Sequence, residues 1–402
     1  MTCRLACLAL CVVACVTPPA EDRSDSIAIG VLLPFTGDIA ATGTNAERAL
    51  ILAVERLNKA GGVAGKRLRL VARDEHSDIK RGLEEARALI DDDHVVAIIG
   101  PESEDLAKSM VPLIKAHKIV QISGGVTSPS FTTIDDDGYW FRTTPAANLY
   151  ASALVGRMQA DGIARAVVLY VSDEFGTGFA NGLIYELSRS SIHAPAPISF
   201  QPGERTYKDT INRALASTPD AVVLVAYPKS SAAIVREWGI LGGTGKWYLA
   251  PSLKAEVFIN NVPPGLLAGA VGVSPAVAAD AQDFAQAFAA RWSGDRPLPA
   301  AFFYYDAAAV LNLAIASAAR NSAGAVPSGD AIRDALTALS RPPGDSVAWH
   351  ELDRALALVQ AGQEIDYRGV SGEVDLDDRG DVQGGRVEFW TIRDDKIENE
   401  SR

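Results

Sequence analysis

Two patterns of apolar residues alternate along the chain: short continuous apolar runs, and longer segments in which apolar residues recur at regular intervals. Short apolar runs such as Ile27–Pro34 and Val95–Gly100 predict buried strands, because parallel strands covered on both faces are hydrophobic throughout. Longer segments such as Asn45–Lys59 repeat apolar residues every three or four positions, which predicts helices with one buried face. Strands that alternate with helices in this way are typical of parallel βαβ units, so the pattern predicts an α/β fold.

The strand and helix order runs once up to about Pro145 and then begins again, which predicts two lobes of similar, doubly wound architecture. A further stretch, Ala279–Ser340, is mostly helical, and strand-like segments at Gly372–Leu376 and Arg386–Ile392 close the chain. This part holds too few strands for another domain, so we expect it to complete the two lobes. The chain must then cross between the lobes more than once, and such crossings form a hinge.

Residues 1–14 have the pattern of a secretory signal peptide. Arg4 precedes the apolar run Leu5–Ala14, which is too short to span a bilayer at about 20 residues. The segment Val12-Val-Ala-Cys15 resembles the lipobox of bacterial lipoproteins, in which the cysteine carries a lipid after cleavage. We therefore expect residues 15–26 to form a tether, lipidated at Cys15, that holds an extracytoplasmic protein on a bacterial membrane. An ordinary cleaved signal with incidental cysteines is the alternative.

Composition and charge exclude several classes of protein. All 4 cysteines lie within residues 1–15, so disulfides should play no part in the fold. A formal net charge of -12 argues against a nucleic-acid partner, which would require a basic surface.

Motifs for catalysis, metals and cofactors are lacking. The 5 histidines are scattered without the spacing of a metal site, and the turn Gly176–Gly182 does not fit the dinucleotide-binding fingerprint. The acidic runs at Asp135–Asp137 and Asp375–Asp381 lack the spacing of a calcium-binding loop. We expect a binding protein that is not an enzyme and uses no metal or cofactor.

Loops at the carboxyl ends of the predicted strands are the candidate ligand site, since doubly wound sheets bind ligands at that edge. Gly125 and Thr127 follow one strand, and their N–H groups and hydroxyl could hold an anion or a carbonyl oxygen; a structural turn is equally consistent. Ser103 could serve in the same way or cap a helix. Phe175 and Tyr227, in loops of the second lobe, could close over a ligand or pack as core residues.

Several short motifs occur in a fixed order between about Ile27 and Ile392. They are Ile29-Gly-Val-Leu-Leu-Pro-Phe-Thr-Gly37, Leu57-Asn-Lys-Ala-Gly-Gly-Val-Ala-Gly65, Ile98-Ile-Gly-Pro101, Phe141-Arg-Thr143, Phe175-Gly176 and Tyr305-Asp-Ala307. This ordered set resembles the branched-chain amino-acid (Leu/Ile/Val) binding proteins of ABC importers. The resemblance implies the type I periplasmic-binding fold, with two Rossmann-like lobes joined by three hinge crossovers near Thr144, Ser274 and Asp381.

The resemblance also implies lobe boundaries and partners. The N-terminal lobe would comprise residues 27–144 plus 275–381, and the C-terminal lobe residues 145–274 plus 382–402. The lobes would close around a small-molecule ligand and deliver it to ABC permease subunits. A ligand-sensing or regulatory lipoprotein without transport is the alternative, since the fold alone cannot separate the two. An enzyme or a peptidoglycan-synthesis scaffold on this fold is a third possibility, weakened by the lack of a catalytic cluster.

One half of the family's ligand site matches only in part. In the amino-acid binders, a serine-rich loop and, after the next strand, main chain and a threonine hold the ligand carboxylate. Ser103, Gly125 and Thr127 match these elements, but Glu104 stands where a second serine is usual. A charged Glu104 facing the cleft would repel a carboxylate.

The other half of the ligand site, in the second lobe, differs more from the family pattern. Ser252 replaces the acid that holds the ligand ammonium, Phe175 replaces a tyrosine, and the later aromatic is kept as Tyr227. We therefore expect a small polar or cationic ligand, such as an amino acid, an amide or a related molecule. Glu104 would be the partner of a cation and Phe175 a stacking wall.

Overall fold

Two sheets of mainly parallel strands form the framework of the chain in a computed structural model. It describes residues 25–400 except 38, 321, 323 and 324. The predicted signal peptide, Cys15 and nearly all of the tether lie outside the described residues.

The first sheet is wholly parallel, in the order β2-β1-β3-β4-β5. Its strands are β1 (Ser26–Leu33), β2 (Arg67–Asp74), β3 (Ala97–Ile99), β4 (Val120–Ser123) and β5 (Trp140–Arg142). The helices between them are α1 (Ala40–Lys59), α2 (Ile79–Asp91) and α3 (Glu104–His117). Strand β1 is buried at every position after Ser26, as expected for a central strand covered by helices on both faces.

The second sheet repeats this winding. Its parallel strands are β6 (Ala166–Val171), β7 (Ile198–Phe200), β8 (Ala221–Val225), β9 (Lys246–Leu249) and β10 (Val271–Pro275). They take the order β7-β6-β8-β9-β10, and the antiparallel strands β14 (Val387–Arg393) and β15 (Lys396–Asn399) extend the β10 edge. The helices are α4 (Ala147–Ala160), α5 (Glu174–Ser188), α6 (Lys208–Leu215), α7 (Pro228–Ile240) and α8 (Glu256–Ile259). Both lobes therefore share one strand order, as the sequence pattern predicted.

The helical stretch completes the first lobe. It contains α9 (Ala281–Arg291), α10 (Pro299–Arg320) and α11 (Gly329–Leu339), and α12 (Leu352–Ala361) follows it. By length and composition α10 could cross a membrane, but 83% of its most apolar window is buried, and it packs against α1, α11 and α12. This burial is that of a core helix.

A small sheet lies beside α10, and the sequence predicted only one part of it, the strand-like segment at Gly372–Leu376. It pairs β11 (Asp345–Ala348), β12 (Ile365–Gly369) and β13 (Gly372–Glu373). Strand β11 begins with two exposed polar residues and gives no apolar run to detect. Asp306 of α10 anchors the sheet, because its buried carboxylate accepts hydrogen bonds from the Tyr367 hydroxyl at 2.9 Å and from the Val370 and Ser371 N–H groups at 3.0 and 2.7 Å.

The chain passes between the two large sheets within residues 143–146, 276–280 and 374–386. A buried ion pair ties the first passage to the last: Arg142 Nε lies 2.7 Å from Asp381 Oδ1. The same guanidinium donates to the Ser128 carbonyl at 2.8 Å and to the Thr132 hydroxyl at 3.0 Å. The hinge region and the loop after β4 are thus held by one side chain. The exact lobe boundaries within these passages stay predictions.

Candidate ligand-binding cleft

The two lobes face each other through the carboxyl ends of their parallel strands, and they meet at the start of α5. Glu174, the first residue of α5, accepts hydrogen bonds from the hydroxyls of Ser128 at 2.9 Å and Ser130 at 2.6 Å. Lys108 of α3 pairs with the same carboxylate at 2.9 Å. We call Glu174 with these three partners the latch. A cavity of about 560 Å³ lies beside the latch, lined by both lobes but by none of the residues predicted from the sequence.

Ser103 caps α3. Its Oγ accepts a hydrogen bond from the Leu106 N–H at 3.3 Å, and its own N–H donates to Glu75 at 3.2 Å. Of the two roles left open by the sequence, capping is the one that these contacts describe. A role in ligand binding stays a prediction.

The Glu104 carboxylate is hydrogen-bonded within its own lobe. It accepts the Thr127 N–H at 2.6 Å, the Thr127 hydroxyl at 2.9 Å and the Ser128 N–H at 3.1 Å. Glu104 is only 5% exposed, and burial raises its pKa to about 7 although these donors and the Arg142 charge act to lower it. The donors expected to hold an anion are therefore occupied by a carboxylate of the protein itself. We refer to this group of donors, Thr127 N and Oγ1 with Ser128 N, as the anion seat.

Gly125 allows a second carboxylate to approach the same loop. A Cβ at position 125 would lie 2.0 Å from Glu102 Oε2, so any side chain there would displace Glu102. The Glu102 carboxylate accepts the Tyr304 hydroxyl at 2.7 Å, and the Gly125 N–H donates to Ser123 Oγ at 3.1 Å. Burial raises the pKa of Glu102.

Glu75, directly after β2, lies behind these residues and is fully buried. Its carboxylate accepts the N–H groups of Glu102 at 2.9 Å and Ser103 at 3.2 Å. Burial, with the neighbouring Glu102 charge, raises the pKa of Glu75 to about 8 despite those donors. Carboxyl groups from the end of β2 and from the β3–α3 region therefore lie close together on the cleft side of the first lobe. We call this part of the lobe, with Glu75, Glu102 and Glu104, the floor.

An aromatic pair forms the wall of the second lobe. The Phe175 and Tyr227 rings lie 5.5 Å apart between centroids, tilted by 30°. The Tyr227 hydroxyl lies near the carboxylate of Asp173, which also caps α5 by accepting the Gly176 N–H at 2.8 Å. Burial is the main cause that raises the pKa of Tyr227 well above its usual value, and the charges of Asp173 and Glu104 add to it.

Ser252 joins two loops of the second lobe. Its hydroxyl donates to the Ala226 carbonyl at 2.8 Å, which links the loop after β9 to the loop after β8. The sequence identified Ser252 only as the residue in place of a family acid. Contact of Ser252 with a ligand stays a prediction.

Sequence reasoning missed Glu75, Glu102, Asp173, Glu174 and Tyr304. Glu75 and Asp173 stand near the carboxyl ends of β2 and β6, so the rule that selected Gly125 would also have selected them. Tyr304 lies within the helical stretch, where no local signal marks it.

The acidic runs do not contribute to the cleft. Lys115 pairs with Asp135 at 2.9 Å and with Asp137 at 3.3 Å, as in an ordinary charged turn. Carboxylate oxygens of Asp366, Glu373 and Asp375 lie within 4.8 Å of one another beside β13. Such a group of acids at a partly exposed edge is common without an ion.

A family model described as periplasmic binding protein matches residues 26–363. The chain belongs to this family. It is 28% identical over 364 residues, 87% of this chain and 83% of the relative, to BasB, a substrate-binding protein of a chemotactic signal transduction system in Halobacterium salinarum. Further relatives are matched over 46% to 61% of their own length.

Solved structures agree with this assignment. The leucine-binding protein LivK of Thermotoga maritima has a TM-score of 0.77 at 21% identity, over 93% of this chain and 98% of that one. The LivJ protein of Streptococcus pneumoniae, solved with isoleucine, gives 0.75 at 20% identity over the same shares. The type I periplasmic-binding fold and the family expected from the sequence are confirmed. The family comprises binding proteins rather than enzymes and implies an extracytoplasmic location.

The buried carboxyl groups predict how stability depends on pH. Folding raises the pKa to about 8 for Glu75, about 7 for Glu104 and about 6 for Asp306, against ordinary values near 4 in the unfolded chain. The folded protein therefore binds more protons than the unfolded chain between about pH 4 and pH 8, so the free energy of unfolding falls as the pH rises through this window.

We expect the melting temperature without ligand to be higher at pH 5.5 than at pH 8.5, measured by intrinsic tryptophan fluorescence. Glu75→Gln should flatten this dependence, whereas Glu55→Gln, at an exposed ion pair with Arg291, should not. A melting temperature that is constant or that rises toward pH 8.5 would contradict the assignment of raised pKa values.

Proposed function

We propose that the chain is an extracytoplasmic solute-binding lipoprotein that captures a small polar ligand between its lobes for an ABC importer. The observation that carries this proposal is the convergence of strand-end loops from both sheets on one cleft, with the latch joining the lobes across it. Ligands bind at this edge of doubly wound sheets, and a hinge between the lobes permits capture and release.

The ligand-binding residues of the proposal are those on the two faces of the cleft. They are Ser103, Glu104, Gly125, Thr127, Phe175, Tyr227 and Ser252. The ligand is a small polar molecule, with amino acids, amides and related compounds as the candidate classes; LivJ, a transporter substrate-binding protein solved with isoleucine, shares the fold. The proposed partners are ABC permease subunits, with no role for nucleic acid, a metal or a cofactor.

Sensing is the second candidate function, and one observation favours it. BasB, matched over most of this chain, is described as part of a chemotactic signal transduction system. Transport and sensing both begin with capture of a ligand between the two lobes. The two roles differ in the membrane partner that recognises the closed form.

A ligand screen tests the proposed capture. We expect the full-length protein in detergent to gain thermal stability with a member of a panel of amino acids, amides, polyamines, urea and aromatic acids. A ligand at 100 times its dissociation constant adds about 2.7 kcal/mol to the free energy of unfolding, a readily measured shift. No shift with any member at 10 mM would contradict capture of a small solute and favour a protein partner.

The lipid anchor has a separate test. Cys15→Ser should move the protein from the membrane fraction to the soluble fraction of a bacterial expression host, because no acylated cysteine would remain. Cys11→Ser, within the predicted signal, is the matched control and should leave the protein on the membrane. Equal partitioning of the two variants would contradict lipidation at Cys15.

A further inference from the structure

The hydrogen-bond donors on the floor of the first lobe are already used by the protein's own carboxylates. Glu104 takes the anion seat. Glu75 takes the N–H groups of Glu102 and Ser103. Asp74, next to Glu75, takes the Phe35 N–H at 2.9 Å and the Thr36 hydroxyl at 2.6 Å. Since these donors each have a carboxyl oxygen as acceptor, an incoming carboxylate would find none of them free.

The floor also carries carboxyl groups without matching cations. Among the residues that the structure describes, no Lys, Arg or His forms an ion pair with Glu75, Glu102 or Glu104. The cation whose charge reaches Glu104 is Arg142, and its guanidinium is committed to Asp381 at 2.7 Å. Lys108, on the same helix as Glu104, is committed to the latch. A cation in the cleft would therefore meet carboxyl groups that have no cationic partner, and its charge would favour their ionised form.

The opposite wall suits a cation as well. Phe175 and Tyr227 are both only partly buried, and an aromatic face that is open to the cleft would attract a cation. Asp173 lies near the Tyr227 hydroxyl, so the wall carries another acid where an ammonium-binding residue would be useful. Asp105 of α3 lies close to Asp173 and accepts the Glu174 N–H at 3.4 Å, which adds a further acid at the boundary between the lobes.

We propose that the ligand of this cleft is a cation without a carboxylate, an amine or amidinium compound, and that Glu104 determines this selectivity by filling the anion seat. The inference rests on the cleft being the ligand site, as proposed above. Glu104 acts in two ways: its oxygens exclude a competing carboxylate, and its charge attracts the ligand. It is a specificity residue of a binding site and takes part in no reaction.

Paired probes test the inference. Each pair shares a side chain but differs in the carboxylate: isoamylamine with leucine, agmatine with arginine, and benzylamine with benzoate. We expect at least one cationic probe to raise the melting temperature of the full-length protein in detergent and to bind at least 10-fold more tightly than its carboxylate partner, as measured by calorimetry.

Variants assign the selectivity to Glu104. Glu104→Gln keeps the size of the side chain but removes its charge, and it should weaken binding of the cationic probe about 10-fold or more. Glu55→Gln, an exposed position on α1, is the control and should leave binding unchanged. If Glu104→Gln does not fold, Glu102→Gln provides a second test of whether the carboxyl groups of the floor attract the cation. Glu102 accepts the Tyr304 hydroxyl and not the donors of the anion seat, so its replacement should disturb the fold less. Unchanged affinity in the folded variant would overturn the role of Glu104.

The outcomes separate this inference from the proposed function. Tighter binding of leucine, arginine or benzoate than of the matching amine would overturn the cationic class while leaving the solute-binding function in place. No binding by any of the probes at 10 mM would overturn both.

Discussion

The hydrogen bonds between Glu104 and the anion seat are the constraint on which the rest of the cleft depends. A buried carboxylate is stable only when donors replace its lost water, and hydrogen bonds to charged groups contribute about 1.5 to 3 kcal/mol each. The Thr127 and Ser128 donors meet this need, and they fix the loop after β4 against the start of α3. Removing the carboxylate would leave those donors buried and unpaired.

The same short loop connects the seat to the hinge and to the latch. The Ser128 N–H donates to Glu104 and its hydroxyl donates to Glu174 of the second lobe, while its carbonyl accepts from Arg142. Thr132, at the far end of the loop, donates to Asp381 at 2.6 Å in the last passage between the sheets. A ligand that changes the charge state of Glu104 therefore acts on a segment that also holds the two lobes together. This arrangement gives a physical route from ligand capture to closure.

Much of the fold could be predicted from the sequence, because buried parallel strands and amphipathic helices leave strong periodic patterns. Strand β1, predicted over Ile27–Pro34, and β14, predicted over Arg386–Ile392, each lie within one residue of those bounds. The small sheet was predicted only at Gly372–Leu376, since β11 is polar and short. Strand β12 and the residues after it are held by Asp306, whose partners lie more than sixty residues away along the chain. Long-range polar contacts of this kind have no local signature.

The candidate site was only partly predictable, for a related reason. Strand-end loops identified Ser103, Gly125, Thr127 and Tyr227 by position. The sequence could not indicate that the Glu104 carboxylate turns back onto Thr127, because the choice between the cleft and the loop is decided by donors that come together only in the folded lobe. Nor could it place Glu102 beside Gly125, which requires the packing of Tyr304 from α10.

The measurement that tests the central claim most directly is chemical rescue of the emptied anion seat. Glu104→Ala removes the internal carboxylate and leaves the Thr127 and Ser128 donors without their acceptor. The account predicts a lower melting temperature for this variant and a saturable recovery with acetate or formate, while sodium chloride at equal ionic strength has no such effect and the parent protein does not respond to either anion. An equal response of parent and variant to acetate, or no response of the variant, would contradict an anion seat filled by Glu104.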